Sequence, residues 1–441
     1  APPPALENNP HLAPSLGHDY ETALVEHALK KADTFQGGFG NQSKFPAAPQ
    51  LLALLDAYAR GPEARLGGFL QLTLDQMASQ GLHDQLGGGF FRYAVDPGWQ
   101  QPHFEKMLYD NALLAEVYLA AARVLHRPAY AAVARDTLDF MLRAMSTRRG
   151  AFVSSLSAVD GHGKDGGYYL WDRKAFRDAL SPAQWRVAQR YWRLDSLPGG
   201  DLPLAGERAE QIAATLKLPE AQVAARVAAA RRALLEVRSR RTLPRDDKVI
   251  AGWNGLALSA LCRAAALPGG EKYRAAAQRL RDYLVHEMWN GTRLLRARVG
   301  GKPAGEGALE DYAYVAQGLA AWARLTHSRR DDALARALVL QGWKRFHVSG
   351  GWHLTQDDLL PYGATDPVLP DTALPSPSAV LARVTLALAA RGADTKLRQQ
   401  ALAALNADSD LVASESYWFA TQIAAVADYQ SQAAGGGAAH R

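Results

Sequence analysis

The sequence predicts an all-α fold, a ring of αα-hairpins closed as an (α/α)6 toroid. Three observations carry this. Alanine is the commonest residue by a wide margin and isoleucine is nearly absent, a balance that favours helix over sheet. Apolar residues recur at three- and four-residue steps along most of the chain. Six Gly-, Pro- or acid-rich segments, mutually dissimilar, each come just before a predicted helix, with room for about two ordinary helices between successive ones.

In chain order, the apolar faces begin at Leu24-Val25-Ala28-Leu29 and Leu51-Leu54-Leu55-Tyr58. Leu113-Leu114-Val117-Tyr118-Ala121 and Leu138-Met141-Leu142 follow, then Val223-Val227-Ala230-Leu234 and Leu256-Ser259-Ala260. The series closes with Tyr273-Leu280-Leu284, Val315-Leu319-Trp322, Leu334-Leu338, Val380-Val384-Leu388 and Trp418-Ile423-Val426. The six loops are Gly37 to Pro46, Gly81 to His103, Asp160 to Trp171, Asp246 to Gly255, Gly305 to Tyr312 and Asp371 to Ser378. Short returns at Gly61-Pro62 and Arg127-Pro128 pair helices into hairpins. An open solenoid would repeat its loops, and these six differ, so a closed ring is expected. Small hairpins are expected at Tyr168 to Trp171 and Leu294 to Val299. Residues 1–17 read as a Pro-rich linker or tail, 18–430 as the helical domain with an insertion near 194–219, and 431–441 as a flexible tail.

Composition narrows the function classes. The 441 residues are 48% hydrophobic and 21% charged, an ordinary globular balance. Fifty basic and 44 acidic residues leave +6, spread thinly, which predicts neither a nucleic-acid footprint nor a membrane surface. The lone cysteine, Cys262, excludes an internal disulfide, a CxxC redox pair and a Cys-based zinc site. It sits on an Ala/Leu-rich stretch and is expected to be an inert core thiol. A HExxH spacing is absent, and the sequence implies no metal and no cofactor.

The densest chemical constellation runs from Gly81 through His83, Arg92, Tyr93 and Trp99 to His103 and the decapeptide ending at Asn111. With a helix starting near His103, the residues His103, Lys106, Met107, Asp110 and Asn111 share one face. Imidazole and carboxyl within reach of each other suit proton transfer or hydroxyl recognition. The scaffold alternative, in which His103 and Asp110 brace loops, has equal weight at this point. Gly87-Gly88-Gly89 is no phosphate loop, since it lacks the Lys-Ser/Thr ending. Asp246-Asp247-Lys248, followed by Trp253 and Asn254, is a second candidate: paired carboxylates beside an indole that a sugar ring could stack on. Glu310-Asp311-Tyr312 equally fits a helix start, where acids meet the positive end of the dipole.

The motifs Gly37-Gly-Phe-Gly40, Lys44-Phe-Pro46, Pro102-His-Phe-Glu-Lys-Met-Leu-Tyr-Asp-Asn111, Asp246-Asp-Lys248, Trp253-Asn-Gly-Leu256 and Leu309-Glu-Asp-Tyr-Ala313 resemble the spermatogenesis-associated protein 20 family. The resemblance runs from about His18 to Leu388. It implies a thioredoxin-like domain followed by a six-hairpin glycosidase-like domain, of which only the helical one is expected here. That domain is similar to N-acylglucosamine 2-epimerase and related sugar isomerases and glycosidases. A small sugar or sugar derivative and a separate thioredoxin-like protein are the partners this suggests.

Three departures accompany the matches. Phe91 stands where relatives have histidine. Leu156, Ser157 and Val159 replace acids, and Pro375-Ser-Pro-Ser-Ala379 lacks an amide that relatives carry. Such replacements remove proton transfer or hydroxyl bonding at those positions, and reduced or lost catalysis is one expectation.

Three functions remain open. A sugar isomerase or epimerase would use His103 as base, Glu105 or Asp110 to orient it, and Trp99, Trp253 and Tyr312 as walls. Here His83, Arg92, Tyr93, Asn111 and Asn254 would bind substrate. A glycoside hydrolase would need two of Asp110, Asp247 and Asp311 at ~5–5.5 Å or ~6.5–9.5 Å. A non-catalytic, carbohydrate- or partner-binding ring is the third.

Overall fold

The computed structural model describes residues 12–13, 15–355, 365–392 and 394–438. The chain alternates between an outer and an inner layer. It starts outside with α1 (Leu16–Lys31), crosses to inner α2 (Ala48–Arg60), and continues with outer α3 (Ala64–Ser79), inner α4 (Leu108–Val124) and outer α5 (Pro128–Phe140). Four helices then leave the ring: α6 (Arg173–Asp178), α7 (Pro182–Tyr191), α8 (Ala209–Leu216) and α9 (Glu220–Ser239). The alternation resumes with inner α10 (Ala251–Ala265), outer α11 (Glu271–Tyr283), inner α12 (Leu309–Thr326) and outer α13 (Arg329–Phe346). Inner α14 (Pro377–Gly392), outer α15 (Thr395–Leu405), the short α16 (Ser409–Ser414) and inner α17 (Ala420–Ala438) complete it.

The inner helices contact one another in the order α2, α4, α10, α12, α14, α17, and α17 returns to α2 while α1 packs on α17. The ring is therefore closed, and the open solenoid is excluded. Sequence decides which layer a helix joins. On α4 and α12 buried residues occur on every side, as a helix surrounded by others requires. On α11 the buried residues Tyr273, Ala276, Ala277, Leu280, Arg281 and Tyr283 keep to one stripe, and the rest of the helix is mostly charged. Inner helices approach closely where they are small. A Cβ at Gly255 or Gly318 would lie 2.5 Å from backbone of the facing helix, so α10 and α12 meet backbone to backbone.

Three expectations change. The insertion is wider than 194–219, because the Val223-Val227-Ala230-Leu234 face of α9 packs within it rather than on the ring. Its own cores gather Trp171, Phe176, Trp192, Ala230 and Leu234 in one place and Val187, Ile212 and Val223 in another, around the hairpin Trp192–Leu197 with Gly200–Ala205. The hairpin at Tyr168 to Trp171 is a turn, with one bridge from Trp171 to Asp201, whereas Leu295–Val299 does pair with Lys302–Glu306. At the C-terminus α17 runs on to Ala438, through part of the range expected to be a tail. The expected N-terminal linker lies mostly outside the described residues. No helix among them is long and apolar enough to cross a membrane.

Candidate functional site

The long loops lead into the N-termini of the inner helices, so they collect at one end of the ring. Three of them meet in a small sheet. Lys106–Met107 pairs with Ser155–Leu156, which pairs with Arg245–Asp246. Just before it, Tyr93–Ala94 and Pro102–His103 form a hairpin with Tyr93 opposite His103. A cavity of about 410 Å³ opens over these strands, lined by His103, Glu105, Ser155, Ser157, Ala158, Val159, Pro244, Arg245 and Asp246.

Because residues 102–103 and 106–107 are strands, α4 starts at Leu108. The expected single helical face from His103 to Asn111 therefore does not exist. Strand pairing brings His103 and Glu105 to the cavity, and Asp110 lies behind it on the first turn of α4.

The electrostatics are uneven. Arg92 bonds Glu105 at 3.1 Å. Burial pushes the Asp110 carboxyl well above the usual range; the Arg92 charge opposes this and the Glu105 charge adds to it. Burial, with the Asp110 charge, also pushes the Tyr109 phenol up to about 12. Asp246 is held low despite partial burial, by Lys248 at 3.0 Å and its backbone N–H. Trp253 sits edge-on to Tyr109 at 4.8 Å. His103 Nδ1, Asp110 Oδ2 and Trp253 Nε1 are three of thirteen side-chain atoms among the described residues that are buried without a hydrogen-bond partner.

Other expected site residues prove to be scaffold. Asn111 spends its whole amide on backbone: it accepts from Phe90 N–H at 2.7 Å and donates to the carbonyls of Phe90 and Met107. Asn254 does the same with Phe152 and Ile250. Trp99 is fully buried, its indole N–H donating to Gln36 O, so it walls nothing. Tyr312 is buried against Trp289 and Phe346 and accepts from Leu294 N–H. His83 is buried 3.3 Å from Asp136 on an outer helix, away from the cavity lining. Tyr93 has both faces covered, by His103 and by Phe45.

The carboxylate trio expected of a glycosidase does not converge either. Asp247 is 64% exposed and paired with Arg245. Asp311 is fully buried, where it accepts from Gly252 and Ala308 N–H, pairs with Arg296 and is pushed up to about 6 by burial. It caps α12.

Two of the three departures fall at the cavity or beside it; the third, Pro375 to Ala379, does not line it. Ser157 and Val159 line it, Leu156 is a buried strand residue, and Phe91 is buried edge-on to Phe104 and Tyr169.

Sequence reasoning missed Ser155 as a cavity residue and missed the role of Lys106. Lys106 is fully buried, donates to Asp84 Oδ2 and Gly88 O at 2.8 Å, and lies over the rings of Phe91, Phe140 and Tyr169. Burial pushes it down to about 8, against the pull of Asp84. Arg238 from α9 grips the same Asp84 carboxylate with both terminal nitrogens, at 3.0 and 2.9 Å, which fastens the insertion to the site loop. Lys44 repeats the brace, bonding Asp33 at 2.8 Å and Gly37 O at 3.0 Å. The legible signal was an aspartate, a Gly-Gly turn and a later lysine, occurring twice. Among the described residues no group of three or more His, Cys, Asp or Glu could hold a metal ion.

Comparison with known proteins agrees with the motif resemblance. The chain is 32% identical over 333 residues to spermatogenesis-associated protein 20 of Mus musculus and 30% identical over 332 residues to that of Homo sapiens. Each match covers 65% of this chain and 42% of the relative, so the chain spans well under half the length of those relatives. No protein-family model matches. Among solved structures, a D-mannose isomerase superimposes with a TM-score of 0.58 at 10% identity, covering 89% of this chain and 85% of that one. A cellobiose 2-epimerase from Spirochaeta thermophila gives 0.54 at 13%, with the same coverage. A GH76 alpha-mannanase from Bacteroides thetaiotaomicron gives 0.55 at 11%, covering 95% and 99%. At such identities the likeness is one of fold, and the fold is the six-hairpin glycosidase-like ring.

Proposed function

We propose that the loop-bearing end of the ring binds a sugar or sugar derivative, and that His103 transfers a proton there in a reaction of the isomerase or epimerase type. The observation that carries this is the trio of unpartnered buried atoms, His103 Nδ1, Asp110 Oδ2 and Trp253 Nε1, contributed by neighbouring elements at one end. Each such atom costs ~1–3 kcal/mol when left unpaired, and a ligand rich in hydroxyls satisfies donors and acceptors alike. The sugar-acting names of the structural neighbours agree with this reading, on fold alone.

In this reading the imidazole of His103 takes the proton from the carbon next to a sugar carbonyl. Arg92, which bonds Glu105 beside the cavity, donates to the oxygen on which charge develops. The proton then returns to the former carbonyl carbon while the hydroxyl proton moves between the two oxygens, giving an isomer; an epimer forms when the planar intermediate turns its other face to His103 before the proton returns. Proton NMR of candidate sugars in D2O tests this: wild-type protein exchanges the hydrogen on the carbon next to the carbonyl, C2 of an aldose or C1 of a ketose, for deuterium, and His103→Ala does not. No exchange with any aldose or ketose sinks the catalytic part.

One observation favours a second reading, binding without turnover. The wall formed by Ala158, Val159 and Pro244 is apolar, and Leu156, Ser157 and Val159, at or beside it, supply no acid. A sugar that binds in the NMR experiment without exchange selects it.

A further inference from the structure

The loop from α1 to α2 and the loop from α3 to α4 repeat one backbone design. Asp33 N–H donates to Gly38 O at 2.9 Å, and Asp84 N–H to Gly89 O at 3.0 Å. Each aspartate carboxylate accepts two successive N–H groups, those of Phe35 and Gln36 or those of Leu86 and Gly87. Each turn is closed by a lysine, Lys44 or Lys106, which then pairs with a later strand residue, Ala94 or Leu156. In this register Phe35 corresponds to Leu86, and Phe45 to Met107. The two loops differ in what covers them. Leu86 is buried under the insertion beside Trp171, Trp192 and Leu234, and Met107 is buried in the main core. Phe35 and Phe45 are exposed. The fold can therefore hide both positions. Where it does they are aliphatic, and where it does not they are aromatic.

Phe45 is exposed yet held in place. Lys44 and Ala94 exchange both backbone hydrogen bonds, at 2.8 and 2.9 Å, and Tyr93 stacks on the Phe45 ring at 4.8 Å with the planes 18° apart. Tyr93 stacks in turn on His103 at 5.0 Å. The open ring of Phe45 thus stands two stacking steps from a histidine that lines the cavity. We infer that Phe45 is an outer platform for a sugar ring, and that the substrate of this site is an oligosaccharide whose reducing-end unit sits at His103 while a later unit lies on Phe45. This rests on the reading of the cavity as a sugar site. Only the reducing-end unit of such a chain has a carbonyl, so it is the unit that proton transfer at His103 requires. The cavity holds about 410 Å³, towards the lower end of the ~300–1,000 Å³ of ligand sites, so a longer chain has to leave it. Each glycosidic linkage advances a chain by about one ring width, the same order as each step of the aromatic column, so a unit a few places on reaches Phe45. A rigid aromatic face fits the C–H face of a pyranose and costs little ordering on binding.

Calorimetric titration of the whole chain tests this with glucose, cellotriose, maltotriose, mannose and β-1,4-mannotriose. At least one trisaccharide should bind wild type roughly three- to tenfold more tightly than its own monosaccharide, the range expected of one aromatic contact. Phe45→Ala should remove that advantage and leave monosaccharide affinity as it was. Phe45→Trp, which keeps a flat face, should retain it. Phe45→Leu keeps apolar cover on Tyr93 without a flat face; it should also lose the advantage, and serves if the Ala variant disturbs the stack or fails to fold. Monosaccharide binding with no gain from any trisaccharide would overturn the inference and leave the sugar site standing. An equal loss of both lengths in Phe45→Ala and Phe45→Leu would overturn it too, since Phe45 would then be a prop for the Tyr93–His103 pair. If no sugar of either length binds wild type, the sugar reading itself fails and the platform falls with it.

Discussion

Tyr93 and His103 lie face to face, their ring centroids 5.0 Å apart and their planes 12° from parallel. The hairpin register sets them opposite each other, and Phe45, 53% exposed, covers the far side of Tyr93 at 4.8 Å. Tyr93 is thus the base of a stack that holds the His103 ring at the cavity wall, and no sugar can lie on it. The stack supplies orientation at His103, and aromatic pairing of this kind is worth ~0.5–1.5 kcal/mol beyond area.

Asn111 and Asn254 should behave as structural equivalents. Each ties the first turn of an inner helix to an upstream loop through two backbone bonds and to its own N-cap carbonyl through a third, and replacement by alanine strands a buried N–H at Phe90 or Phe152. Either substitution should cost about 2–4 kcal/mol in urea unfolding. A loss under about 1 kcal/mol would return these residues to the ligand-binding set.

Asp110 gives a signed pH dependence. Its folded pKa is raised, so its contribution to stability is fully present below the unfolded carboxyl range and is lost as pH rises towards the folded value. Asp110→Asn mimics the neutral form. Across that window wild type should lose up to about 1.4 kcal/mol per pH unit relative to the variant. Parallel stability-pH curves for the two proteins would mean that Asp110 ionises freely.

The Asp84 brace should be costly to break. Arg238→Ala leaves the buried Asp84 carboxylate with Lys106 as its remaining cation, and about 3–5 kcal/mol of stability should go with the lost pair. Limited proteolysis should also cut the insertion between α5 and α10 sooner in this variant than in wild type. Unchanged stability would show that the insertion is held by its packing alone.

Cys262 should resist labelling. The thiol is buried and pushed up to about 12, first by burial and then by the Glu116 charge, so almost no thiolate forms near neutral pH. Native protein should react with a thiol reagent orders of magnitude more slowly than urea-unfolded chain; comparable rates would place the thiol at the surface.

Helix periodicity made the ring legible, because amphipathic and all-buried stripes are local properties. Helix α3 went unread although Leu66, Phe69, Leu70, Leu74 and Met77 keep the spacing. The assignment of α9 to the ring failed for a different reason: its stripe is real, but periodicity does not say what a stripe packs on. The site was half legible. Composition pointed to His103 and Glu105, yet their placement depends on strand pairing with residues 155–156 and 245–246, beyond any local window. Asn111 and Asn254 looked like ligand residues because an amide suits sugar and backbone equally, and their partners lie 21 and 102 residues away.

The measurement that bears most directly on the proposed site is a calorimetric titration of mono- and disaccharides into wild type and His103→Ala. At least one sugar should bind wild type, and its affinity should fall about tenfold or more in the variant, which should lose no more than about 1–2 kcal/mol of stability. If instead His103→Ala unfolds while sugar binding survives in the milder His103→Gln, or if no sugar binds wild type at all, His103 is a brace for its hairpin and this end of the ring is not a sugar site.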